Sequence, residues 1–153
     1  MIKTRRYSTL DTDDLWRIHL LVISEANVEP THQHYHDILH IPEQYLKDGG
    51  EFLVGTGLDG NVLAMGGLKL LKDGKAEIKR LRVHPSHQKK GYGQQILSQL
   101  EEKARELGVN HLILDTLSNQ LGAQKLFVKN GYQQKGPATI DGFHVFLYEK
   151  ALV

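Results

Sequence analysis

The sequence predicts an α/β domain: a mixed central sheet of about seven strands with four helices, carrying a β-bulge in its fourth strand. Three observations predict it. Two runs of β character flank Asp59-Gly60-Asn61, a turn signal that joins antiparallel neighbours. A strand-like run ends at Gly91 and Gly93, and Ile96, Leu97, Leu100, Ala104 and Leu107 then recur at helical spacing. Within that strand-like run the apolar phase changes partway. Ile78 and Arg80 share one phase of the alternation, whereas the apolar Leu81 and Val83 lie on the other. An extra residue exchanges the two faces of a strand, so a one-residue bulge explains the flip. The alternative is a merely amphipathic edge strand.

Taken in order, residues 2–8 read as a first strand. Asp11 or Thr12 can cap a helix whose apolar positions include Leu15, Ile18, Leu21 and Val22. Residues 27–30 break it. A second, less regular helical stretch spans 31–46 and is interrupted by Pro42. Gly49-Gly50 turns the chain into strands at 51–58 and 62–71. Lys72-Asp73-Gly74-Lys75 turns it again into the strand at 76–83. The glycine loop and a helix to Leu107 follow, with Gly108 as its stop. Residues 111–117 are a strand, 120–129 a helix ended by Asn130-Gly131, and 132–135 and 143–150 closing strands around Asp141-Gly142. With no repeats and no low-complexity linker, residues 1–153 are expected to form one domain.

Bulk properties narrow the function classes. The chain has 153 residues, enough for one domain with a sizeable core. A net charge of +1 supplies no basic field of the kind that drives nucleic-acid binding. There is no cysteine, which removes disulfides, thiolate metal sites and a cysteine nucleophile. Lys3, Arg5 and Arg6 are not followed by an apolar run, and no segment approaches membrane-spanning length. A cytoplasmic protein without membrane attachment is the expectation.

The glycine loop carries the first functional signal. Gly91 and Gly93 open a helix, whose first turn leaves backbone N–H groups unpartnered at the positive end of the peptide dipoles. Glycines there let a phosphate approach the backbone, and Gln88, Lys89 and Lys90 add donors and charge. Three phosphate loops compete. The nucleotide-hydrolase loop needs Gly, four residues, then Gly-Lys-Ser/Thr, and nothing fits. The dinucleotide loop needs a third glycine where Ile96 stands, although Asp115 sits where a ribose-binding acid would be expected. The turn from Val83 to Gly91 is also too long for that corner, and residues 77–83 are too charged for a buried parallel strand. The third type is Gln/Arg-x-x-Gly-x-Gly/Ala after a strand ending Val-x-Pro. Val83-His84-Pro85-Ser86-His87-Gln88-Lys89-Lys90-Gly91-Tyr92-Gly93 matches it without a gap.

In this loop and in its order of elements, the chain resembles the GNAT superfamily of acyl-CoA-dependent N-acetyltransferases over nearly its whole length. The resemblance implies acetyl-CoA as cosubstrate. Its diphosphate would lie at Gln88, Lys89, Lys90, Gly91, Tyr92, Gly93 and Gln94. Its pantetheine arm would run along the backbone of Leu81, Arg82 and Val83, where the bulge opens a V-shaped gap. The backbone N–H of Val83 would polarise the thioester carbonyl. The resemblance also implies a catalytic glutamate eleven residues before Gln88, in the context Ala76-Glu77-Ile78. A free glutamate titrates at about 4.3, so Glu77 would need burial or a relaying water to act as base. The alternative is a surface carboxylate paired with Lys79 or Lys75.

The family often places a proton-donating tyrosine in the next helix. Here Ala123-Gln124-Lys125-Leu126-Phe127-Val128-Lys129-Asn130-Gly131-Tyr132 puts Phe127 at that position, and a phenyl ring has no proton to give. Tyr132, Tyr148, a water or bulk solvent would have to protonate the leaving thiolate. Asn119 and Gln120 are candidate pantetheine contacts, with helix capping the favoured role for Asn119.

His32, His36 and His40 fall on one helical face, with His34 and Asp37 nearby. The outer two are about 12 Å apart by helical rise and cannot share one ion, so no metal is expected. A polar face in the acceptor region, with Tyr35, is the favoured reading. His84 and His87 read as exposed loop residues. The acceptor is expected to be a primary amine, small or peptide-borne, attacked directly in a ternary complex, and family members often form homodimers through their late strands. Rival classes are a non-catalytic acyl-CoA sensor, favoured by Phe127, and a nicotinamide-binding oxidoreductase.

Overall fold

The computed structural model describes residues 2–25 and 34–152. Its strands are β1 (Lys3–Arg6), β2 (Glu51–Thr56), β3 (Val62–Leu70), β4 (Lys75–Val83), β5 (His111–Leu117), β6 (Gln133–Ile140) and β7 (Phe143–Ala151). The α-helices are α1 (Thr12–Glu25), α2 (Tyr92–Glu106) and α3 (Leu121–Lys129). A fourth helical stretch is built of short turns at His36–His40 and Pro42–Leu46. One seven-stranded sheet runs β1-β2-β3-β4-β5-β7-β6. All neighbours are antiparallel except β4 and β5.

The sheet carries a core on each face. On one, Ile96, Leu97, Leu100 and Ala104 of α2 pack on Ala64, Leu68, Ala76 and Ile78. On the other, Leu15, Ile18 and Ile23 of α1 join Ile38, Ile41 and Tyr45 over Phe52, Val54 and Met65. Alternation along the strands sends successive side chains to these two cores.

The predicted bulge is present. Met65 pairs with Arg82 and Gly67 with Lys79, so two steps on β3 match three on β4. Arg80 takes the extra turn with φ of 56°. Leu81 and Val83 then face the α2 core, while Arg80 and Arg82 face α1. A second break completes the gap. β4 pairs with β5 through Lys75, Ala76 and Glu77 and not beyond, while β5 continues against β7 to Leu117.

Several boundaries differ from expectation. β1 is shorter than 2–8. The cap falls at Ser8, not at Asp11 or Thr12: Ser8 starts a short turn ahead of α1, and the Asp11 carboxylate accepts from the Ser8 N–H at 2.8 Å. Asp11 also pairs with Arg5, which pins β1 to this turn. The last hairpin is longer than 132–135 suggests, because β6 runs through Pro137 as an edge strand with its own irregularity at Gln134 to Gly136. The break at 27–30 and His32 lie outside the described residues.

Candidate active site

A cleft of about 770 Å³ passes through the gap between β4 and β5. Its walls come from both faces of the sheet. On the α2 side lie Leu81, Val83, Tyr92, Gly93, Leu126 and Phe127; on the α1 side lie His34, Tyr35, Glu77, Arg80, Arg82 and Phe143.

At one end is the glycine loop. Lys89 and Gly91 both have positive φ, 64° and 85°, and Gly91 is the N-cap of α2. The first backbone bond of the helix runs from the Gln95 N–H to the Gly91 carbonyl at 3.0 Å. The amides of Tyr92, Gly93 and Gln94 therefore lie in a first turn that has no internal acceptor for them. Gln88, Lys89, Gly91, Tyr92, Gly93 and Gln94 line the cleft; Lys90 is exposed and does not. The Gln94 side chain is engaged elsewhere, exchanging two 2.8 Å hydrogen bonds with Asn130 and so tying α2 to the end of α3. What Gln94 presents to the cleft is its backbone.

In the middle, Val83 sits opposite Ala64 on β3, and the His84 N–H donates to the Leu63 carbonyl at 2.7 Å. That pattern makes Val83 and Ala64 a non-hydrogen-bonded pair, so the N–H and C=O of Val83 point away from β3. They point toward the side where β5 has diverged. The Val83 carbonyl accepts from Gln88 Nε2 at 3.2 Å, which folds the loop back over the strand end.

At the far end stands Glu77, largely enclosed. No ion pair within 4.0 Å joins it to Lys75 or Lys79 among the described residues, so the surface-pair alternative is not what the structure shows. Burial pushes its pKa above the ordinary value; Lys79 opposes this and the Asp115 charge reinforces it. Asp115 lines the same cleft from β5. By sequence position Asp115 stands where a ribose-binding acid would be expected. Its place beside Glu77 follows from the parallel register of Glu77 with Ile113, a long-range pairing that spacing alone does not give.

Of the proton donors left open by the sequence, both tyrosines lie outside the cleft. The Tyr132 hydroxyl donates to Glu101 at 2.7 Å in the core, and Lys150 holds the same oxygen at 3.0 Å. Neither Tyr132 nor Tyr148 lines the cleft. Phe127 does, with its ring against both, 5.7 Å and 5.9 Å between centroids. The cleft tyrosines are Tyr35 and Tyr92. Gln120 lines the cleft and holds the N-cap position of α3 without a side-chain capping bond; Asn119 does not line it.

Of the histidines, His36 and His40 bond to each other at 3.0 Å on the exposed side, and His34 bonds Asp141 of the β6–β7 turn at 2.6 Å. No group of three metal-ligating residues occurs among the described residues. His84 caps the turn at Pro85–His87 by accepting from the Ser86 N–H. A further histidine, without a motif in the sequence to mark it, lies under the cleft. His19 of α1 is fully buried, its Nδ1 accepts from Arg82 Nε at 3.1 Å, and its Nε2 has no partner among the described residues. No helix of the described residues is long and apolar enough to cross a membrane.

Comparison with known proteins gives this geometry a family. Residues 14–132 match the model of the Acetyltransferase (GNAT) family. The chain is 34% identical over 92 residues to the uncharacterized N-acetyltransferase YsnE of Bacillus subtilis, covering 58% of this chain and 61% of that one. It is 30% identical over 79 residues to an IAA acetyltransferase of Azospirillum brasilense, covering 51% and 52%. The chain thus aligns with about half to three-fifths of the length of these curated relatives. Among solved structures, an acetyltransferase of the GNAT family from Staphylococcus aureus Mu50 superposes with a TM-score of 0.92 at 20% identity, with 100% of both chains covered. The yncA protein of Salmonella typhimurium, solved with its cofactor acetyl-CoA, superposes with a TM-score of 0.77 at 18% identity, covering 100% of this chain and 95% of that one. With a family model spanning most of its length, the chain belongs to the GNAT family of acetyltransferases.

Proposed function

We propose that the chain, as one domain over residues 1–153, is an N-acetyltransferase that moves an acetyl group from acetyl-CoA to a primary amine by direct attack in a ternary complex. The observation that carries this reading is the continuous cleft from the first-turn amides of α2, through the β4–β5 gap, to Glu77. Each part of it fits the carrier. The amides of 92–94 with Gln88 and Lys89 suit a diphosphate, and Lys90 adds nearby positive charge. The unpaired backbone edge at Leu81 and Val83 suits an amide-bearing arm, with Gln120 close by and Asn119 as its helix-end neighbour. Acetyl-CoA supplies the thioester.

The chain's own residues do the rest. The Val83 N–H donates to the carbonyl oxygen as charge develops there. Glu77, with its pKa raised by burial, takes the proton from the acceptor ammonium or from its attacking nitrogen, directly or through a water. Asp115 holds a second negative charge beside the amine. Solvent protonates the departing thiolate, since Phe127 has no proton to give and Tyr132 is bonded to Glu101. The cytoplasm is the proposed compartment, and a homodimer through the late strands is the proposed assembly.

Release of free thiol from acetyl-CoA, measured against a panel of primary amines, tests the proposal. Turnover that Glu77→Gln suppresses supports it. Coenzyme A binding with no turnover on any amine would favour a regulatory acyl-CoA sensor, the reading that Phe127 supports. Binding of a nicotinamide dinucleotide and not of coenzyme A would end both.

A further inference from the structure

Arg82 reaches toward α1, on the side of the sheet away from the α2 amides. Its Nε donates to Nδ1 of His19, and the Tyr35 ring centroid lies 5.9 Å from its Cζ. No carboxylate lies within 4.0 Å of its guanidinium among the described residues. Arg80, two residues earlier on the same face, shows the contrast: both oxygens of Asp37 are bonded to it, and the Tyr45 hydroxyl bonds Asp37 as well. The acid beside the two arginines is therefore fully used by one of them. His19 supplies no charge, because burial, and then the charges of Arg82 and Arg80, depress its ring to about 2.

Enclosed charges in proteins are paired or bind something that pairs them. Arg82 has no anionic partner of its own within this cleft among the described residues. The missing anion is not a phosphate of coenzyme A, since the loop amides lie on the α2 side and Arg82 reaches toward α1. Farther along the same cleft stand Glu77 and Asp115, two carboxylates suited to a cationic amine. Positive and negative groups thus face one space, with Val22, Ile23 and Phe143 as apolar wall.

We propose that the acceptor is an amine that also carries a carboxylate, an amino acid in chemical class, and that Arg82 receives that carboxylate while Glu77 and Asp115 receive the amine; this rests on the acetyltransferase reading above. The planar fork of arginine matches a carboxylate, and its Nε bond to His19 fixes the fork in place. A polyamine would instead set a second cation against Arg80 and Arg82.

The test uses the full chain with acetyl-CoA and matched acceptors: phenylalanine, leucine and methionine, the carboxamide of each, the decarboxylated amine of each, and spermidine. For at least one set, kcat/KM for the amino acid is expected to exceed that for its carboxamide and its decarboxylated amine on the order of a hundredfold. In Arg82→Gln the ratio falls toward one, mainly through KM, and Arg82→Lys restores part of it. The wild-type ratio needs no variant to fold, and thermal melts accompany both variants. If carboxylate-free amines turn over as well as the acids, or if a folded Arg82→Gln keeps the ratio, this inference fails and the acetyltransferase reading stands. If coenzyme A binds and no amine in the panel turns over, both fail.

Discussion

Arg80 holds Asp37 through both carboxylate oxygens, Nη2 to Oδ1 at 2.7 Å and Nε to Oδ2 at 3.0 Å, so the bulge of β4 is tied to the 36–46 stretch. Arg80 also donates from Nη2 to the His34 carbonyl at 3.3 Å. A non-glycine residue at positive φ costs on the order of 1–3 kcal/mol. These bonds offset that cost, and they fix the turn that redirects β4 away from β5. The gap thus depends on a contact between β4 and the 36–46 stretch as well as on strand register.

Removing the acid should therefore cost more than an ordinary surface pair. Asp37→Asn leaves the Arg80 charge enclosed and is expected to destabilise the fold by about 3 kcal/mol, read as a Tm loss of about 10 °C. The pH dependence has a definite sign. Burial works against the ionised Asp37, yet the Arg80 hydrogen bond and charge and the Tyr45 hydroxyl hold its pKa at about 2, below its ordinary 3.8. The stabilisation is present above pH 3.8 and is lost as pH falls toward 2. The gap in stability between wild type and Asp37→Asn should close over that window. A constant gap would show that the pair does not hold the bulge.

Glu77 carries the opposite shift. Its pKa is raised, mainly by burial, so the protonated form is favoured in the folded state and ionisation opposes folding as pH rises through the folded pKa. Glu77→Gln should then melt no lower than wild type at pH 8, while kcat falls about 10²- to 10⁴-fold. The acidic limb of the wild-type kcat/KM profile should sit above pH 4.5. A variant that keeps its kcat would remove Glu77 from the chemistry.

The loop predicts an asymmetry between adjacent lysines. Lys89 lines the cleft and Lys90 does not. Lys89→Ala should raise KM for acetyl-CoA by about tenfold, whereas Lys90→Ala should act weakly and lose even that effect at high salt. Equal effects of the two, measured at 0.5 M salt, would mean that the loop binds the diphosphate in another orientation.

Much of this architecture is legible in the residues. The phase change between Ile78 and Leu81 places the bulge within one residue of Arg80, because alternation is a local property of the strand. Gly91 and Gly93 mark the helix start for the same local reason. What escapes is contact across the sheet. Arg82 with His19, Arg80 with Asp37, and His34 with Asp141 join residues 63, 43 and 107 positions apart. Periodicity says which face a side chain takes, and says nothing of the partner it meets there. The nearness of Asp115 to Glu77 and the tie between the Gln94 side chain and Asn130 are contacts of that long-range kind.

Tyr132 and Phe127 separate a structural hydroxyl from a missing catalytic one. Tyr132 donates to Glu101 in the core, and Glu101 keeps Lys150 when that hydroxyl is removed. Tyr132→Phe should cost about 1 kcal/mol and leave kcat unchanged. Phe127 lies in the wall of the cleft. Phe127→Tyr adds an oxygen to a buried ring that lines the cleft, so the new hydroxyl must find a partner there. If thiolate protonation by solvent limits turnover, Phe127→Tyr should raise kcat, most visibly at high pH where hydronium is scarce, with KM for acetyl-CoA unchanged. If product release or amine deprotonation limits turnover, kcat stays level and the pH profile keeps its shape. A fall in kcat from Tyr132→Phe, at unchanged Tm, would instead make Tyr132 the acid and overturn the assignment of its hydroxyl to the core.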